Sequence, residues 1–153
     1  MHLPKTLRYG ASVRWDGKSG GEVACKNPLD FRVDMPLEFS GEGRYPCPDQ
    51  VFLASIGGCL LTTFLNFKNR FDLKVEDVQV TVKGEVALVG AEGYRIREVE
   101  AFLQIKVREE EKSLAMRCGE LARDYCHITR TIEKALPIKV YTEVEEEREE
   151  NQE

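Results

Sequence analysis

Residues Pro48 to Phe71 constrain this chain more than any other stretch. Phe52, Ile56, Leu60, Phe64 and Phe67 recur at the spacing of one helical face. Leu53, Leu61 and Leu65 carry the apolar surface further around the cylinder, leaving little polar before Asn66. A helix apolar nearly all round belongs in a core or an interface. The stretch reads as too short and too often interrupted by polar residues for a membrane span. Pro48 suits the first helical position, and Asp49 puts a negative charge where the helix dipole favours one. Gly57-Gly58 is the costly part, at about 1 kcal/mol per glycine relative to alanine. Close approach of another backbone is the usual reason for such a pair. Cys59 follows at once. It is either a small buried hydrophobe or a thiol with a task.

The rest of the chain reads in order as three strands, this helix, two strands, helices and a strand. Residues 6–15 alternate loosely, Asp16-Gly17 signals a hairpin, and residues 22–26 return as a second strand. Asn27-Pro28 turns the chain into a third strand over 31–39, in which Pro36 suggests an edge or a bulge. After the helix, Leu73 to Val86 is rich in valine and reads as a strand. Gly84, Gly90 and Gly93 mark bulges or turns near its end. Tyr94 to Val107 alternates well and forms the next strand. A helix opens at Arg108-Glu109-Glu110-Glu111-Lys112. Asp124 is the expected cap of a shorter helix from about Cys126 to Leu136. Ile138 to Tyr141 forms a last short strand. This order predicts an α+β fold with a mostly antiparallel sheet, in a single domain over 1–142. Residues 143–153 are expected to be a solvated, disordered acidic tail.

At 153 residues the chain suits one domain with its own core. A net charge of −5 argues against nucleic acid as a partner. No apolar leader follows Met1, so a cytoplasmic location and no membrane partner are expected. No phosphate-cradling glycine loop and no Gly-x-Ser-x-Gly is present. The 5 cysteines, Cys25, Cys47, Cys59, Cys118 and Cys126, are odd in number and form no Cys-x-x-Cys. That argues against a disulfide framework and against a zinc ribbon. His2 and His127 are too few for a histidine-rich metal site, so no metal and no cofactor is expected. Chemistry, if present, rests on a thiol. Cys126 stands where a helix starts, a place that lowers a thiol pKa, although a buried structural cysteine would look the same.

Two stretches together resemble the OsmC/Ohr family, the osmotically inducible and organic hydroperoxide resistance proteins. One runs from Pro48-Asp49-Gln50-Val51-Phe52 to Gly57-Gly58-Cys59, and the other is Asp124-Tyr125-Cys126-His127-Ile128-Thr129-Arg130-Thr131-Ile132. Trp15-Asp16-Gly17 is similar to that family's first hairpin. The resemblance implies an OsmC-like fold, with a sheet wrapped around a long central helix, in an intertwined homodimer with sites at the subunit interface. It implies a thiol peroxidase in which Cys59 attacks an organic hydroperoxide and becomes a sulfenic acid. Cys126 then condenses with it to a disulfide, and a dithiol reductant, lipoyl-type in some members, resets the pair. Burial would raise the pKa of Cys59, so the family's peroxidases supply an arginine held by a glutamate at the helix start. Here Asp49 stands at the glutamate position, one methylene shorter, and Glu38 falls near the slot of one branch's arginine. Arg14 is the nearest counterpart of the other branch's arginine, with Arg44 a further candidate. The alternative is an OsmC-fold dimer without peroxidase activity, binding a small apolar ligand or sensing redox state.

Overall fold

Strand alternation and helical periodicity settle into two sheets and three helices in a computed structural model of the chain. It describes Arg8, Lys18 and residues 11–15, 20–25 and 31–147. The turns expected at Asp16-Gly17 and Asn27-Pro28, and residues 148–153, lie outside the described residues. The chain divides into two compact units, Met1–Phe52 and Leu53–Glu153.

The N-terminal unit holds strands β1 (Ala11–Trp15), β2 (Gly20–Cys25) and β3 (Phe31–Asp34), antiparallel in the order β1-β2-β3. The third strand ends at Asp34 rather than at Phe39, and Leu37–Phe39 forms a 3-10 turn instead. Pro36 cannot donate to a ladder. Its carbonyl accepts from Phe39 and Gly41 at 3.1 Å each, which curls the chain out of the sheet. Gly41 is obligatory here, since a Cβ would lie 1.9 Å from the Met35 carbonyl oxygen. Asp34, 2% exposed, pins this loop. It accepts from the Met35 N–H at 2.8 Å, and from the Arg44 N–H and Nε at 3.1 and 2.7 Å.

Helix α1 spans Pro48–Arg70, 23 residues, and enters the second unit at Leu53. It is long and apolar enough to cross a membrane by length and composition alone, contrary to the sequence expectation. The core helix of a soluble protein passes the same test. Nor is it buried all round. Ile56, Gly57, Leu60 and Phe64 are buried, whereas Ala54, Ser55, Gly58 and Thr62 are exposed.

The second unit adds β4 (Asp77–Leu88), β5 (Tyr94–Val107), α2 (Lys112–Tyr125), α3 (His127–Ile132) and β6 (Ile138–Glu146). Strands β4 and β5 pair antiparallel, with an irregularity at Glu85/Val86. Strand β6 pairs with β5 in parallel, from Val99↔Ile138 to Val107↔Glu146, so this sheet is mixed. Parallel neighbours need a long crossover, and α2 and α3 supply it. Strand β6 runs to Glu146, past the expected start of an acidic tail at 143. Val140, Thr142 and Val144 are half-buried while Tyr141, Glu143 and Glu145 are exposed, so the charges sit on one face only.

The core of this unit is Phe64 and Leu73 with Leu103, Ile105 and Val107 of β5 and Ala115, Cys118 and Ala122 of α2. Helix α2 lies tight on β6, since a Cβ on Gly119 would come within 2.3 Å of Thr142. A Cβ on Gly57 would meet Val82 of β4 at 3.1 Å, whereas one on Gly58 would meet nothing within 4 Å. The close approach expected of both glycines is made by Gly57, and to side chains of β4.

Candidate active site

The two motif cysteines meet in the second unit. Cys59 sits mid-way along α1, half-buried. Cys126 separates α2 from α3 and is fully buried. The sequence suggested Asp124 as the cap there. The structure places Asp124 inside α2, exposed, and gives the junction to Cys126 itself. Its N–H closes α2 by donating to the Ala122 carbonyl at 2.9 Å. Its extended backbone (φ −64°, ψ 118°) breaks the helix for one residue. Its carbonyl then accepts from Arg130 N–H at 3.1 Å as α3 begins.

That one-residue break matters chemically. The first N–H groups of a helix have no partner within it. The N–H groups of His127 and Ile128 are such donors, and both hydrogen-bond to the Cys59 sulfur. The Cys126 thiol and the Thr63 hydroxyl, both nearby, act on its pKa in the same direction. Burial pushes the Cys59 thiol up, but these donors together outweigh it and hold Cys59 below its ordinary 9.0. Cys126 moves the other way. Burial pushes it up, the hydroxyl and N–H of Thr129 pull it down, and a charged Cys59 beside it pushes it up again. Of the two, Cys59 is therefore the thiol that ionises first, and Cys126 the one that keeps its proton longer. Both are free thiols.

The other predicted residues fall elsewhere. Arg14 lies on β1, opposite Glu22 of β2, and Asp49 in the first turn of α1, half-buried. Both belong to the N-terminal unit, while every donor to Cys59 named above comes from its own unit. Glu38 is exposed in the 3-10 turn. Arg44 reaches Asp34 and Glu42 through Nε, at 2.7 and 2.8 Å. Arg32 donates to the Tyr45 hydroxyl at 3.1 Å. Sequence reasoning missed Thr63 and the two backbone donors. Thr63 carried a signal, because a hydroxyl four residues beyond a helical cysteine shares its face.

A small apolar ligand calls for apolar lining, and the candidates on the apolar face of α1 are Phe52, Leu60, Phe64 and Phe67. Leu60 and Phe64 are core residues, and Phe67 packs on Tyr125 with ring centroids 5.7 Å apart. A groove of about 530 Å³ beside the junction has a mixed lining, mostly charged and polar (Arg123, Thr129, Arg130 and Glu133 among them) with Ile138 and Val140 as its apolar part. Among the described residues, no three His, Cys, Asp or Glu side chains gather as metal ligands.

Known proteins of the same shape carry a related description. An organic hydroperoxide resistance protein from Elizabethkingia anophelis, solved with thiocyanate bound, superposes with a TM-score of 0.73 at 23% identity, over 93% of this chain and 100% of that one. An organic hydroperoxide resistance protein OsmC from Legionella pneumophila gives 0.68 at 20% identity, over 92% and 100%. One described as such a protein from Vibrio cholerae, with captopril in one of its active sites, gives 0.67 at 17%, over 92% and 95%. At these identities the likeness is one of fold. No curated protein matches the chain. The family model for OsmC-like proteins matches residues 41–141, a span that holds α1 with Cys59 and the α2–α3 junction with Cys126. The chain belongs to the OsmC-like protein family.

Proposed function

We propose that the protein is a cytoplasmic thiol peroxidase that reduces organic hydroperoxides. The observation that carries this reading is the meeting of Cys59, on α1, with Cys126, at the α2–α3 junction, the first thiol held below its ordinary pKa and the second pushed above it. A thiolate is the nucleophile, and it needs access as well as a low pKa. Half-buried Cys59 has both, whereas Cys126 is covered and its thiol is pushed up by burial.

The reaction runs in three balanced steps. Cys59 thiolate attacks the distal oxygen of the hydroperoxide, the O–O bond breaks, and the alkoxide takes a proton to leave as the alcohol. Cys59 is now a sulfenic acid. The Cys126 sulfur attacks the Cys59 sulfur, its own proton and the hydroxyl leave as water, and a Cys59–Cys126 disulfide forms. A dithiol then reduces that disulfide by exchange and leaves as its own disulfide. In this reading Arg14, held by Asp49, is the cationic partner that the resemblance implies for Cys59. The working unit is an intertwined homodimer wrapped around the α1 helices. The exposed Gly58 supports that assembly, because an interior helical glycine with open space around it gains nothing within one chain.

The alternative is a dimer of the same fold that binds a small apolar ligand or senses redox state. It is favoured by Arg44, which is engaged by Asp34 and Glu42. The deciding experiment is consumption of cumene hydroperoxide with a dithiol reductant, beside Cys59→Ser and Cys126→Ser. Turnover by the native protein that Cys59→Ser abolishes supports the peroxidase. No turnover with any of several dithiols overturns it in favour of the binding or sensing reading.

A further inference from the structure

The groove of about 530 Å³ lies where α2, α3 and the start of β6 meet, and no step of the peroxidase reading uses it. Its volume is in the range of small-molecule sites. The floor is apolar for a reason of register. Ile138 and Val140 pair with Val99 and Ala101, both fully buried, and so share the inner face of the sheet. Helix α2 is tight on that face at Thr142, through Gly119. The two residues nearer the start of the strand stay half-buried and line the groove. The walls carry charge. From α2 come Arg123 and Asp124, paired with each other at 3.0 Å. From α3 come Arg130 and, at the end of that helix, Glu133. Opposite charges three apart on a helix ordinarily pair. Among the described residues, no ion pair engages either of these two side chains.

We propose that this groove is a binding site for an α-amino acid with an apolar side chain. Charge decides the class. Arg123 and Asp124 cancel, and Arg130 and Glu133 offer one charge of each sign, so the lining favours neither a simple anion nor a simple cation. An α-amino acid carries a carboxylate and an ammonium on one carbon. The carboxylate meets the planar guanidinium of Arg130, and the ammonium meets Glu133. The side chain covers Ile138 and Val140. The site also adjoins the cysteine junction. Thr129 and Arg130 line the groove, and both donate to the Cys126 carbonyl, the hydroxyl at 3.3 Å and the N–H at 3.1 Å. An occupant therefore rests against the two residues that hold that carbonyl. The proposal is independent of the peroxidase reading, since it uses neither thiol.

The test is backbone amide NMR of the full chain, titrated with L-phenylalanine and, separately, with L-leucine. Saturable shifts are expected at Thr129, Arg130, Ile138 and Val140. Hydrocinnamic acid lacks the ammonium and phenethylamine lacks the carboxylate. Each is expected to bind about tenfold more weakly than phenylalanine, the size of one hydrogen bond to a charged group. Arg130→Gln and Glu133→Gln should each weaken phenylalanine by about the same factor. The variants should also cross over: Arg130→Gln leaves phenethylamine binding unchanged, and Glu133→Gln leaves hydrocinnamic acid binding unchanged. Both residues are exposed, so neither change is expected to disturb the fold. The absence of saturable shifts with both amino acids up to about 10 mM overturns the proposal. Shifts that map away from the groove overturn it too, as does either single-charge analogue binding as tightly as phenylalanine. Hydroperoxide turnover is measured apart. A protein that consumes no hydroperoxide but shows this binding pattern loses the peroxidase reading and keeps the amino-acid site.

Discussion

Two fully buried cysteines about two helical turns apart, Cys118 and Cys126, show how little a residue type says by itself. Cys118 lies mid-way along α2 among Phe64, Leu103 and Ile105. Only burial acts on it, and burial pushes its thiol up. Cys126 is just as covered, but it sits where one residue of extended backbone interrupts the helices. The break frees N–H groups for Cys59 and puts the Cys126 proton within reach of a neighbouring sulfur. Cys118 has no such donor beside it, and the helix break at Cys126 is what sets the pair apart.

The comparison is broken most thoroughly at Cys59. Cys59→Ser is expected to abolish hydroperoxide consumption outright, while Cys118→Ala leaves it unchanged. Loss of turnover in Cys118→Ala, measured with the same dithiol, would erase the distinction between the two regions. Cys126→Ser should separate the steps. The first oxidation survives, recycling fails, and a Cys59 sulfenic acid accumulates that dimedone traps as a mass increment. A variant that still turns over at the native rate would show that Cys126 does not resolve Cys59.

A smaller effect is expected in stability. Cys118→Ala removes a buried sulfur from a packed core and should cost about 1 kcal/mol in urea unfolding. Its pH dependence sharpens the comparison. Cys118 is raised when folded, so its contribution is present below the ordinary 9.0 and is lost as pH rises through its folded value. Cys59 is lowered, so its contribution is present above 9.0 and is lost as pH falls through its folded value. Carried from neutral pH to above 9.0, the deficit of Cys118→Ala against the native chain should shrink, whereas that of Cys59→Ser should grow. Parallel curves for the two variants would show that their thiols do not differ. The smallest effect belongs to Gly58→Ala, about 0.5–1 kcal/mol of stabilisation from helix propensity if its face stays open, read from the same unfolding curves. Destabilisation that depends on protein concentration would mean that a second copy packs there.

Much of this was legible in the sequence, for reasons that differ by element. Strand β5 was read at its observed bounds because Val99, Ala101, Leu103, Ile105 and Val107 alternate without interruption. The cysteine pair was found because both ends carry a family motif. The end of β3 was missed because alternation continues through Met35, Leu37 and Phe39 while the backbone obeys Pro36. Strand β6 was cut short because a run of glutamates reads as solvated, and its period-two placement on one face was overlooked. The parallel pairing of β6 leaves no mark in local pattern at all, since direction is set by how the chain returns. The backbone donors to Cys59 were invisible for a related reason, because every residue has an N–H and only the break at Cys126 aims these two.

That parallel pairing has a consequence for how the protein comes into being. The donors from His127 and Ile128 lie within the crossover between β5 and β6, and Val99 N–H closes on the Pro137 carbonyl at 2.9 Å where β6 begins. Pairing across a long crossover is slow, because loop closure must be met before the contacts reward it. During synthesis the chain can complete β4, β5 and most of α2 while Cys59 still has no anion cradle. Until the α2–α3 junction reaches α1, Cys59 lacks the donors from His127 and Ile128 and is a less acidic thiol. The acidity of Cys59 is thus a property of the packed chain and not of its local sequence.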